Sequence, residues 1–295
     1  MAAVTLNAYT PIAALQAITL TTDRIYMGGL FQQAGAHYRH NLAVFSRPVQ
    51  PLVQLDLRAS LGGVQQEAGL LSDALRAQNL LPRQEPYTGL GIPQHLFGGG
   101  EEADVPVFAV ADSTAVVDWV LVELRAADDP AEVLATRNGL LRRDGRVVDV
   151  DGRSALTFPL IAGAYHVVLQ HRNHLGAMTA APVGLSSVIT TVDLRVDPGY
   201  GTEGQQSVSG TNALWPGDAT GDGLVKYAGA GNDRDAVLLR LGGASPTSII
   251  GGVYDEHDIN LDGTIRYTGA NNDRDIILQT IGGAVPTAVR VGQVP

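Results

Sequence analysis

Cysteine is absent from the 295 residues, which excludes disulfides, thiolate zinc sites and cysteine nucleophiles. Any cross-link beyond packing has to come from a metal. Basic residues are scarce: 20 Lys and Arg stand against 30 Asp and Glu, for a formal net charge of -10. That balance lacks the clustered positive charge that nucleic acid or an anionic membrane surface requires, and it favours cations as partners. No apolar run reaches the ~20 residues of a spanning helix; the longest, Ala115 to Leu124, is interrupted by Asp118 and Glu123. Neither nucleic-acid binding nor membrane insertion is expected. The opening MAAVTLNAYTPIAALQAITL lacks the basic start and cleavage pattern of a secretory signal. Either such a signal has been removed or the chain starts inside a longer protein.

Catalytic signatures are missing as well. There is no G-x-S-x-G, H-E-x-x-H or P-loop. Asp118, Glu123, Asp149 and Asp151 are acids that could work in pairs, but nothing brings any two within the ~5 to 9.5 Å that glycoside hydrolysis needs. The chain is read as a non-enzyme.

Aromatics make up 5% of the chain, against 35 Gly and 15 Pro, a composition that favours turns and short strands over long helices. The expected fold class is mainly β: a β-sandwich followed by a small module of two calcium loops and two short antiparallel helices. Between residues 52 and 209, VQLDLRAS, TAVVDWVLVELR, GRVVDVDG, ALTFPL, AYHVVLQHR and SSVITTVDLRV read as strands broken by Gly, Asp or Pro. Regular strands of this kind suggest a sandwich. Ser72 to Asn79 is the one good short helix there, with Ser72 as its cap. Trp119 is expected as a core anchor. His171 and His174 flank Asn173 on a strand running into a turn, where residues three apart should face opposite sides; a hydrogen-bonded polar turn is preferred over a metal site.

Residues 1–50 read as short strands around Gly28 and Gly29 and resemble one unit of a propeller-type repeat, or else form an N-terminal extension. One such unit cannot bury both faces.

The strongest signal is an internal repeat with a period of 40 residues inside 212–290. DATGDGLVKYAGAGNDRDAVLLRLGGASPT from Asp218 aligns without a gap on DINLDGTIRYTGANNDRDIILQTIGGAVPT from Asp258, identical at 16 of 30 positions, too many to be chance. Each unit opens with side-chain oxygens on alternate residues: Asp218, Thr220 and Asp222, then Asp258, Asn260 and Asp262. Calcium takes six to eight oxygens, and a tight loop turns positions 1, 3 and 5 toward one centre. Gly223 and Gly263 follow at position 6, where a sharp turn is needed, and Leu224 and Thr264 can offer carbonyls at position 7. The acid expected at position 12 is missing, because Gly229 and Gly269 stand there. Closure has to come later, from Asp235 and Asp275 or, as second choice, Asp233 and Asp273, with Asn232 and Asn272 beside them. Arg234 and Arg274 pairing with these acids is the metal-free alternative. AVLLRLGG and IILQTIGG read as short helices ended by Gly pairs, with Val237, Leu238 and Leu241 packing on Ile277, Leu278 and Ile281.

With its GDxxxDGxVKYxGxxNDRD wording, the stretch Trp215 to Gly283 resembles dockerin-like calcium modules at the C-terminal ends of bacterial secreted and surface proteins. Val116 to Val120, Leu141 to Gly152 and His171 to Thr179 resemble a sandwich-like domain that often precedes such a module. The resemblance implies two Ca²⁺ sites, a location outside the cell or on its surface, and a protein partner docking on faces that include Arg240 and Gln279. A glycan or surface ligand of the sandwich is a further expectation.

Overall fold

The computed structural model describes residues 6–7, 14–20, 24–31, 33–34, 37–38, 41–46, 52–64, 69–96 and 98–295. Two compact units are present, Met1–Pro51 and Leu52–Pro295. In the first, strands Ala14–Leu20, Arg24–Leu30 and Leu42–Ser46 form an antiparallel sheet in chain order, with Phe31 and Ala43 buried. The remaining description concerns the second unit.

The fold is mainly β, as expected. The strands read as a sandwich hydrogen-bond into one nine-stranded sheet. Its central path runs Leu156–Phe158, Val53–Arg58, Arg146–Val148, Val133–Arg142, Val116–Ala126, Gly163–His171, His174–Met178, all antiparallel. Val183–Leu185 adds to Gly163–His171, and Thr190–Asp193 runs parallel to Val53–Arg58. Leu185 and Ala177 near one end of this order share a core cluster with Val192 at the other. Gln54 N donates to Ser186 O at 2.9 Å between those ends. The sheet therefore curls around its main core.

Period-two alternation places Val53, Leu55 and Leu57 inside, while Asp56 and Arg58 face the other way. Val116–Ala126 is buried along its whole length. Val120, Val122 and Leu124 enter the main core, and Trp119 and Leu121 enter a second cluster with Tyr87, Ala103 and Leu140. A strand covered on both faces reads as a nearly continuous apolar run, and this explains the residues from Ala115 to Leu124. Trp119 is fully buried and its Nε1 donates to Pro82 O at 2.9 Å, the anchor role expected.

Val133–Arg142 is a strand the sequence pattern hid, since Arg137, Asn138 and Gly139 break its alternation. Gly139 is needed there because a Cβ would sit 2.9 Å from Val148 O. The expected Ser72 to Asn79 helix is one turn, Ala74–Ala77. Asp73 rather than Ser72 holds the cap position, without a side-chain cap bond: its carbonyl accepts the first bond of the turn, from Ala77 N at 2.9 Å. A second single turn covers Val105–Phe108.

The repeat is joined to this sheet. Leu175 N donates to Trp215 O at 2.9 Å, and Leu261 of the second repeat lies in the main core.

Candidate metal centre

Each repeat folds the same way: a loop, a three-residue strand (Leu224–Lys226 or Thr264–Arg266), an eight-residue helix (Asp233–Arg240 or Asp273–Thr280), and a closing strand (Ile249–Gly251 or Val289–Val291). The closing strands are exchanged. Ile249–Gly251 pairs with Thr264–Arg266 of the second repeat, and Val289–Val291 returns to Leu224–Lys226 of the first. Val237, Leu241, Ile277 and Ile281 form the shared core of the two helices with Leu278 beside them, as the sequence suggested, while Leu238, expected with them, lies outside this cluster.

The helices end as their Gly pairs dictate. Gly242 and Gly243 have φ of 96° and 75°. Gly243 N donates to Leu238 O at 2.8 Å and Gly242 N to Leu239 O at 2.9 Å, which is the Schellman pattern. Gly282 and Gly283 repeat it.

The loops turn as expected at Gly223 and Gly263, with φ of 77° and 79°. Asp218 Oδ1 and Oδ2 accept from Asp222 N at 3.1 Å and Gly223 N at 3.0 Å. Asp258 does the same with Asp262 N at 3.1 Å and Gly263 N at 2.7 Å. Asn260 Oδ1 accepts from Asp262 N at 2.9 Å. Asp222 and Asp262 accept from Lys226 Nζ at 2.8 Å and Arg266 at 2.7 Å, so each loop has one built-in counter-charge. Leu224 and Thr264 open the strands that follow.

The two acids at each helix start are placed differently. Asp233 and Asp273 are fully buried and turn into the loops. Asp233 Oδ1 accepts from Thr220 N and Thr220 Oγ1, both at 3.1 Å, and Oδ2 from Lys226 N at 2.7 Å. Asp273 accepts from Ile259 N at 2.7 Å and Arg266 N at 2.8 Å. Asp235 and Asp275, expected to close the loops, are half exposed. Asp235 N donates to the cap residue Asn232, whose amide donates back to Asp235 Oδ2 at 2.8 Å, and Arg234 binds Oδ1 at 2.8 Å. Asp275 has the same partners in Asn272 and Arg274. The pattern N-x-x-D at 232–235 and 272–275 is a variant of the reciprocal cap in which first and fourth residues bind each other. That signal was in the sequence and would have separated the two acids. Arg234 and Arg274 also lie 5.1 Å from the ring centroids of Tyr227 and Tyr267. Asp275 also lines a cavity of ≈ 480 Å³ with Asn260, Asp262 and Asn272.

Electrostatically the two buried acids of each loop strain against each other. Burial, and then the neighbouring Asp233, push the Asp218 carboxyl up to about 6. Burial and Asp273 push Asp258 to about 7, and burial pushes Asp273 to about 7 despite three backbone N–H bonds. Asp233 is raised by burial as well. Asp262 Oδ1 is buried with no hydrogen-bond partner. Buried carboxylates without compensating charge are costly; a hard divalent cation supplies that charge, so the donor set fits calcium.

Among the described residues, ligand atoms of Asp255, Glu256 and His257 also lie within 4.8 Å of one another. Burial alone would raise the Asp255 carboxyl, but bonds from His257 and Arg240, each at 2.7 Å, hold it well below the usual range. This group reads as an ion-paired turn.

His171 and His174 are corrected in one respect. They are directly opposed across a two-residue hairpin turn, so their rings meet on one side, 4.7 Å apart and edge to face. Both are buried, and burial pushes the His171 ring down to about 3, which leaves it neutral. His171 Nε2 lies 3.2 Å from Asp118 Oδ2. Asp118 also pairs with Arg172 and accepts from Tyr254 Oη at 2.7 Å. The preferred polar turn is what the chain builds.

Compared with known protein families, curated proteins and solved structures, the chain matches none.

Proposed function

We propose that the two loops of the repeat each bind a calcium ion and that the chain works as a non-enzymatic, calcium-stabilised part of a secreted or cell-surface bacterial protein. The observation that carries the calcium reading is the pair of buried carboxylates in each loop, Asp218 with Asp233 and Asp258 with Asp273, held beside an alternating oxygen series with too little positive charge. Asp218, Thr220, Asp222, the Leu224 carbonyl and Asp233 would hold the first ion. Asp258, Asn260, Asp262, the Thr264 carbonyl and Asp273 would hold the second. Bound calcium supplies the charge that lets these acids stay ionised in a buried loop, and it ties loop, strand and helix together. The setting outside the cell rests on the resemblance to dockerin-like modules.

Isothermal titration of the calcium-depleted chain tests the reading. Uptake of two ions per chain is expected, with a rise in melting temperature. A chain that takes up no calcium at millimolar concentration would sink it.

A further inference from the structure

Asn173 stands in the turn between Gly163–His171 and His174–Met178 of the sheet and is fully buried. Its backbone carbonyl accepts from Gly217 N at 2.9 Å and Asp218 N at 3.2 Å. Its side-chain amide donates to Glu256 O at 3.1 Å and Asp258 O at 2.8 Å. Asp218 and Asp258 are the first residues of the two loops. One residue of the sheet therefore grips the backbone at the entry of both. Its side chain is fixed from behind as well: Asn173 Oδ1 lies 2.8 Å from His174 Nδ1, and His174 Nε2 lies 2.9 Å from Gly62 O.

A buried amide with this set of partners has no second place to go. Loss of its donor would leave the carbonyls of Glu256 and Asp258 without this partner, and a shift of either loop entry has to move the same rigid turn. The exchanged closing strands tie the loops a second time, at Gly252 N to Gly263 O and Gly292 N to Gly223 O, both 2.8 Å.

We propose that Asn173 positions both calcium loops and couples them, so that filling one loop tightens the other. The inference rests on the calcium reading above and deepens it: the sheet acts as part of the metal-binding apparatus.

The test uses the full, calcium-depleted chain titrated with calcium chloride, followed by calorimetry. In the unmodified chain the second ion binds more tightly than the first, by a factor in the ordinary range of about 5 to 150. Asp258→Asn removes one carboxylate from the second loop; the ion that remains should bind more weakly by a similar factor. In Asn173→Ala two ions still bind but with weaker coupling, the part that the exchanged strands carry, and adding Asp258→Asn weakens the survivor less than it does in the unmodified chain. Asn173→Gln, which keeps the amide but displaces it by one methylene, serves if the alanine variant does not fold. Two independent ions in the unmodified chain, an unchanged survivor in Asp258→Asn, or intact coupling in the Asn173 variant would each overturn the proposal while leaving calcium binding in place. Failure of the unmodified chain to bind any calcium overturns both.

Discussion

Leu261 and Gly221 hold the same place in the two repeats with the same left-handed backbone, φ of 57° and 69°, yet Leu261 is buried in the core under the sheet and Gly221 is exposed. A Leu side chain in that conformation carries a cost of roughly 1–2 kcal/mol, accepted here because the side chain plugs the second loop into the sheet. Leu261→Ala should destabilise the chain by about 2–5 kcal/mol, the usual range for a buried Leu. Gly221→Ala, which opens no cavity, should cost only the left-handed penalty of roughly 1–2 kcal/mol. Urea denaturation of both variants measures the difference; equal effects would show that Leu261 is not an anchor.

The two candidate closing acids separate cleanly by experiment. Asp233→Asn should remove one ion from the titration, because it neutralises the carboxylate inside the loop. Asp235→Asn should keep both ions and lose about 0.5–2 kcal/mol of stability through the weakened helix start. The opposite pattern would return the closing role to Asp235.

Acidity gives a third test. In the calcium-free chain, Asp258 and Asp273 sit at about 7 against an ordinary 3.8. A carboxyl raised in the folded state means that the folded chain holds more protons than the unfolded one between those values, so stability falls as pH rises through that window. Melting temperatures of the calcium-depleted chain should therefore drop between about pH 4 and 7. With saturating calcium the trend should invert, because ionised acids are then the bound form. A calcium-free chain that gains stability across the window would contradict this arrangement of buried acids.

Away from the loops, Asp118 offers a fourth test. It is fully buried and receives Arg172, the His171 ring and the Tyr254 hydroxyl, and Arg172 lies 4.1 Å from the centroid of the Tyr254 ring. Asp118→Ala strands a buried guanidinium and should cost about 3–5 kcal/mol. Chemical denaturation would show this, and a loss below about 1 kcal/mol would mean that the pair behaves like a surface ion pair.

Much of this was legible from residue order. The repeat, the alternating oxygens, the turning Gly at position 6, the short helices and their Gly caps follow from local rules that tertiary context did not override. Asp235 was ranked above Asp233 as the closing acid, since both are acids at a helix start and only the cap partner Asn232 tells them apart. The strand at Val133–Arg142 was hidden by polar residues whose partners lie on other segments, such as Asn138 with Glu101. The meeting of His171 and His174 depended on a two-residue turn, and the role of Asn173 depended on backbone groups of Glu256 and Asp258 far along the chain. Local pattern carries no information about such long-range partners.

The exchanged strands set a timetable. Leu224–Lys226 belongs to the first repeat, but its hydrogen-bonding partner is Val289–Val291, which is made only after the helix of the second repeat. The first repeat cannot be completed when its own residues have been made; it waits for the end of the second. The second repeat does not wait in this way, since Thr264–Arg266 pairs with Ile249–Gly251, already made; a nascent chain stalled between the repeats would carry an unfinished first loop.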